Sequence, residues 1–144
     1  MKLRIIKAYP PNYPAIRARF PAAGGHGVWF CYGDRIYAPT LTQIPPWIVK
    51  HEEVHSRQQE VAGGPEAWWR RYLEDDAFRY SEELMGHIAE WEAFKDKVPF
   101  PTRKEKERML EAIARRLSGP LYGGDGGIEG YKKALSQITN GGTL

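Results

Sequence analysis

An α+β fold, with a small antiparallel sheet at the front and a mainly helical remainder, is what this 144-residue chain predicts. Three observations predict it. Residues 1–40 are rich in Pro, Gly and aromatic side chains and carry short β-leaning runs. Beyond Pro45-Pro46, residues 47–62 run without a helix breaker. From about residue 75 to 97, Phe78, Leu84, Met85, Ile88, Trp91 and Phe94 recur at roughly helical spacing. The length suits one domain, 1–144, large enough to bury a core without disulfide or metal staples.

In the front segment, 3–7 is expected as a short strand. Pro10, Pro11 and Pro14 argue against a helix and for an irregular connection. Residues 15–20 are then expected as a second strand, and Gly24-Gly25-His26-Gly27 as a turn. The runs 28–32 and 35–37, split by Gly33-Asp34, read as a hairpin. Pro45-Pro46 opens the next element, since proline is tolerated in the first turn of a helix. That helix, 45–62, closes at Gly63-Gly64, and Ile48, Val54 and Val61 are its expected buried side. Pro65 opens a further helix with Trp68, Trp69, Tyr72 and Leu73, and the long helix to 97 follows until Pro99 and Pro101 break it. Thr102 with Glu105 is a capping-box signature, opening an amphipathic helix to Leu117 with Met109, Leu110 and Ile113 inward. The loop 123–127 precedes a last short helix, 128–138, within a C-terminal helical segment of 102–139. The tail after Asn140 is expected to be loose.

Composition narrows the chemistry. A formal net charge of +3 is small for this length and gives no strong case for nucleic acid. Cys31 is the single cysteine, so neither a disulfide nor a thiolate metal site is expected, and a buried thiol is the better reading. No stretch has the apolar length of a membrane span, and Met1-Lys2-Leu3-Arg4 does not begin a signal peptide, so a cytoplasmic location is the expectation. Arg103, Lys104, Lys106 and Arg108 alternate with Glu105, Glu107 and Glu111, which reads as a solvated helix with internal ion pairs. Trp47, Trp68, Trp69 and Trp91, at helical spacing, read as core.

His51-Glu52-Glu53-Val54-His55 is the pattern that carries chemistry. Two imidazoles four residues apart on a helix share one face, so both reach one metal ion. Glu52, beside the first of them, can polarise a metal-bound water without being a ligand. Two histidines leave a catalytic zinc one protein ligand short. Candidates for the third lie on the long helix: Glu83 first, then Glu90 and His87, with Glu82 beside them and His26 as an outsider. Glu83, His87 and Glu90 share a face at spacings of four and three.

With Glu83 downstream, His51-Glu52-x-x-His55 resembles the gluzincin arrangement, in which two His and a Glu bind zinc. The chain is more closely similar to small HExxH proteins of phage, prophage and bacterial genomes. Gln58-Gln59, Trp68-Trp69-x-x-Tyr72-Leu73-x-Asp75, Phe78-Arg79 and Glu83-Leu84 carry that likeness over about residues 28–97. Where similar chains have a small residue and an aromatic after that Glu, this one has Gly86-His87. The resemblance implies a zincin-like domain with the HExxH helix at its centre. Its metal would be Zn²⁺ on His51, His55 and Glu83, and its substrate a protein or peptide. Glu52 would be the proton acceptor, and His87, Tyr72, Tyr80 or Arg79 the donor to a transition-state oxyanion. It also implies that strand 35–37 offers its edge to an extended peptide. A zinc-stabilised module without turnover is the competing expectation.

Overall fold

A computed structural model describes residues 2–23 and 27–141 of the chain. The expected turn at 24–27, apart from Gly27, and the tail from 142 lie outside the described residues, and so does His26. The architecture is α+β, with the strands confined to the front, as the sequence predicts. The strands are β1 (Arg4–Ile6), β2 (Phe30–Tyr32) and β3 (Arg35–Tyr37), in the order β1-β3-β2. β2 and β3 form the expected hairpin, antiparallel, with Tyr32 opposite Arg35. Its two-residue turn needs a left-handed first residue, and Gly33 supplies it at φ +66°.

The sheet is mixed, however, because β1 lies parallel to β3. Parallel neighbours need a long crossover, and that crossover contains a helix, α1 (Tyr13–Arg19), where a strand over 15–20 was expected. Pro14 falls in the first turn, where its missing N–H has no partner to lose, and Ala and Arg are strong helix formers. Ile16 anchors α1 in a cluster with Phe30, Tyr37, Trp68, Trp69 and Tyr72. A second expectation also falls. β3 is the central strand, so it has no free edge to offer a peptide.

The remaining helices are α2 (Pro46–Val61), α3 (Pro65–Glu74), α4 (Asp76–Lys95), α5 (Arg103–Leu117) and α6 (Ile128–Thr139), with a short 3-10 turn at Pro120–Tyr122. Their starts follow the expected signals. Pro46 and Pro65 sit in first turns, Asp75 accepts the Phe78 N–H at 3.0 Å, and Thr102 accepts that of Glu105 at 3.1 Å. α4 contacts α2, α3, α5 and α6. Between α4, α5 and α6 lies an apolar core that includes Leu84, Trp91, Phe94, Ile113, Leu117 and Ile138. Trp91 belongs to this core and Trp47 is partly buried against it, while Trp68 and Trp69 are buried in the Ile16 cluster. Cys31 is buried, and burial pushes its thiol well above the usual range, so it packs as a small inert side chain. Arg103 pairs with Glu107 and Arg115 with Glu111 along α5. Among the described residues, no helix is long and apolar enough to cross a membrane.

α2 departs from the expected pattern. Val61 is 89% exposed, and Ile48 and Val54 are only partly buried. The buried residues of this helix are His51, Glu52, His55, Ser56 and Gln59. Apart from Glu52, which lines a cavity, these polar groups face inward because each finds a partner there. Gln59 accepts the Gly33 N–H at 2.7 Å and donates to the Cys31 carbonyl at 2.8 Å, and the Ser56 hydroxyl donates to the Gly33 carbonyl at 2.8 Å. Each such bond offsets a desolvation cost of about 1–3 kcal/mol. The helix is thereby fastened to the hairpin by polar contacts.

Candidate metal centre

His51 and His55 stand one turn apart on the inward face of α2, with ring centroids 4.7 Å apart. Their Nε2 atoms approach to 2.9 Å. Glu83, from the facing side of α4, places Oε2 3.0 Å from His51 Nε2 and Oε1 3.3 Å from His55 Nε2. A tetrahedral zinc site with arms of about 2.0–2.1 Å has ligand-to-ligand edges of about 3.3–3.4 Å. The observed separations of 2.9, 3.0 and 3.3 Å, the last two to different oxygens of Glu83, are close to such edges. Close approach of α4 is what permits it: a Cβ on Gly86 would stand 2.8 Å from His51 Nε2.

The outer atoms of the rings decide what the inner atoms can be. His51 Nδ1 and His87 Nδ1 both lie against Glu90 Oε1, at 2.9 and 3.0 Å. Glu90 is held ionised, its carboxyl lowered to about 2; burial opposes this, but hydrogen bonds from His51 and His87 outweigh it. His55 Nδ1 lies 2.8 Å from Gln58 Oε1, and the Gln58 amide is oriented by donating from Nε2 to the Glu82 carbonyl at 3.2 Å. All three Nδ1 atoms therefore donate, and each neutral ring turns a lone pair on Nε2 inward. The Nε2 atoms of His51 and His55 converge on Glu83, and His87 Nε2, buried without a hydrogen-bond partner among the described residues, lies 3.9 Å from Glu83 Oε2. Lone pairs facing lone pairs across 3 Å repel one another unless a cation sits among them. The buried groups could hold a metal ion.

Protons are the alternative occupant. Burial disfavours charge on His51, yet hydrogen bonds to Glu83 and Glu90 raise it to about 10. His55 is also raised, because the Glu83 carboxylate overcomes its burial. Glu83 is held well below the ordinary carboxylate range, since the two imidazoles outweigh its desolvation. His87, by contrast, is lowered by burial and by the charge on His51. Without a metal, these shifts favour protons on His51 and His55 and disfavour one on His87.

Glu52 is buried and lines a cavity of about 390 Å³ beside the cluster, while its neighbour Glu53 turns outward to Lys50 at 3.3 Å. Burial raises the Glu52 carboxyl, partly offset by the two imidazoles. Tyr72 donates to Glu83 Oε1 at 2.7 Å, fixing the carboxylate that faces the rings. The structure therefore brings together His51, Glu52, His55 and Glu83, with His87 and Tyr72 beside them. It separates the other candidates except Glu90. Glu82 accepts from Trp68 Nε1 at 2.9 Å, outside the cluster. Arg79 is fully buried in bonds to the Tyr72 and Leu121 carbonyls and to Asp76, and Tyr80 bonds Gln137. Glu90 is not separated: it lies against His51 and His87, and these three form a second buried group that could hold a metal ion. Gln58 holds the His55 ring from behind, a role its position three residues further along the helix made readable.

No protein-family model, curated protein or solved structure matches this chain.

Proposed function

We propose that this protein is a zinc-dependent hydrolase of peptide or peptide-like bonds, with zinc held by His51, His55 and Glu83. One observation carries the reading: a buried set of inward lone pairs whose outer atoms are all committed to acceptors. Imidazole and carboxylate ligands without thiolate suit zinc, and three protein ligands leave a position open. Bound there, zinc supplies a Lewis acid that acidifies a water and polarises a carbonyl.

This chain's residues supply the rest. Glu90 and Gln58 hold the rings in the ligating tautomer, and Tyr72 holds Glu83. Glu52, the one carboxylate on the cavity wall with no hydrogen bond or ion pair among the described residues, takes a proton from the attacking water. As the C–O bond forms and the C–N bond breaks, it passes that proton to the leaving amine. The products are a carboxylic acid and an amine.

His87 favours a second reading. Its unpartnered Nε2 could turn to close the site as a fourth protein ligand, giving a zinc-stabilised module without turnover. Elemental analysis and activity assays separate the two. In the hydrolase, the wild type carries about one zinc per chain, and His55→Ala and Glu83→Ala lose it. Glu52→Gln keeps the metal while hydrolysis falls by about 10²-fold or more. Zinc bound equally in wild type and Glu52→Gln, with no hydrolysis in either, favours the closed module. No zinc in the wild type after reconstitution ends both readings.

A further inference from the structure

Two features of the cavity bear on what it admits. The first concerns the sheet. In a two-residue hairpin Tyr32 and Arg35 form the hydrogen-bonded pair, so Cys31, opposite Ile36, points its backbone groups away from β3. That outward carbonyl is already occupied, by Gln59 Nε2 at 2.8 Å and Trp69 Nε1 at 3.0 Å. β2 lines the cavity but cannot offer this carbonyl to an added strand, and β3 is central. An extended polypeptide has no ladder to join here. A short substrate held by side chains suits the site better.

The second feature is the distribution of polarity. Away from the metal cluster the wall is apolar, including Ile16, Phe20, Val28, Trp29, Phe30 and Leu121. One polar line crosses it. This line runs from Glu83 to Tyr72, which donates to it at 2.7 Å, and on through Tyr122 and Arg116 on the same lining. Apart from the histidines, Arg116 is the one basic side chain on the described lining. Its neighbour Arg115 is paired with Glu111, but the exposed Arg116 side chain makes no hydrogen bond or ion pair among the described residues. A free guanidinium across an apolar space from a carboxylate-rich cluster suits an anionic group carried by the ligand.

We propose that the cavity binds a short peptide or N-acyl amino acid whose last residue has an apolar side chain and a free carboxylate, which Arg116 recognises. This rests on the hydrolytic reading above and specifies it. The bond cleaved is the last amide, so water adds to its carbonyl carbon, the C–N bond breaks and the proton taken by Glu52 goes to the departing amine. A free apolar amino acid leaves.

Trp29 and Trp68 line the cavity, so intrinsic fluorescence reports binding independently of turnover. N-acetyl-L-phenylalanine and its amide are titrated into the wild type, Arg116→Gln and Arg116→Lys, with circular dichroism confirming the fold of each. The wild type is expected to bind the carboxylate about tenfold more tightly than the amide, Arg116→Gln to bind both alike, and Arg116→Lys to retain part of the preference. Equal binding in the wild type, or a preference that survives Arg116→Gln, overturns the proposal. A parallel assay uses the zinc-loaded protein with benzyloxycarbonyl-glycyl-L-phenylalanine and its amide. Equal kcat/KM for both sinks the carboxylate preference and leaves the hydrolase standing. Carboxylate-selective binding with neither compound cleaved sinks cleavage of the last amide and leaves recognition by Arg116 standing.

Discussion

α2 and α5 are helices of similar length that bury opposite kinds of surface. α5 turns Ile113, Ala114 and Leu117 into the apolar core it shares with α4 and α6. Two imidazoles, a carboxyl, a hydroxyl and an amide are what α2 buries, with Val61 left in solvent. The first helix is placed by the hydrophobic effect, at about 25 cal/mol for each Å² of apolar surface removed from water. The second is placed by specific partners, without which the same burial costs free energy. Stability should therefore be ligand-independent in one half and ligand-linked in the other.

The largest expected effect breaks the apolar half. Leu117→Ala should cost about 2–5 kcal/mol in denaturant unfolding, in the presence or absence of chelator. Metal content per folded chain should not change, and a loss of metal in that variant would erase the distinction between the halves. Chelation tests the other half. At free zinc about 100-fold above Kd the metal should contribute about 2.7 kcal/mol, and its removal should speed amide exchange in α2 more than in α5. Uniform acceleration across both helices would count against a ligand-linked α2. Glu90→Gln sharpens the comparison further: losing the charge behind His51 and His87 should lower zinc affinity about 10- to 100-fold by competition titration, with the α5–α6 core intact.

Asp75, at the start of α4, gives the smallest effect. The Phe78 N–H, followed by weaker contributions that include Arg71, holds its carboxyl below the ordinary aspartate value. The folded pKa lies under the unfolded one, so this stabilisation is complete above about pH 4 and fades as pH falls through the folded value. In Asp75→Asn that part of the acid limb should vanish from a pH series of thermal melts. An unchanged acid limb would show that the cap carries no such linkage.

What was legible in the sequence was mostly punctuation and spacing. Pro46, Pro65, Asp75 and Thr102 mark helix starts through local sterics and capping, which a sequence carries in full. The i,i+4 imidazoles and the shared face of Glu83, His87 and Glu90 were readable for the same reason. Long-range choices were not. The prolines before and within residues 13–19 suggest irregular chain and then strand, although Pro14 suits a first helical turn, and packing of Ile16 with Phe30 and Tyr37 completes the choice of helix. The parallel pairing of β1 with β3 is likewise set by a crossover that no local signal encodes. Ile48, Val54 and Val61 misled because a polar face buried by hydrogen bonds leaves its apolar residues outside. Which of Glu83 and Glu90 faces the metal is not legible in spacing, since both share one face of α4 and each meets His51 in a buried group that could hold an ion.

The fastening of Ser56 and Gln59 to the Gly33 hairpin makes that turn a mechanical reference for the whole site. A helix rotates by about 100° per residue, so these bonds fix the compass bearing of the imidazoles a turn earlier on the same helix. Lengthening the Gly33-Asp34 turn by one residue would touch no ligand, yet it would release the bearing. A tight tolerance thus falls on a loop, where insertions are ordinarily forgiven.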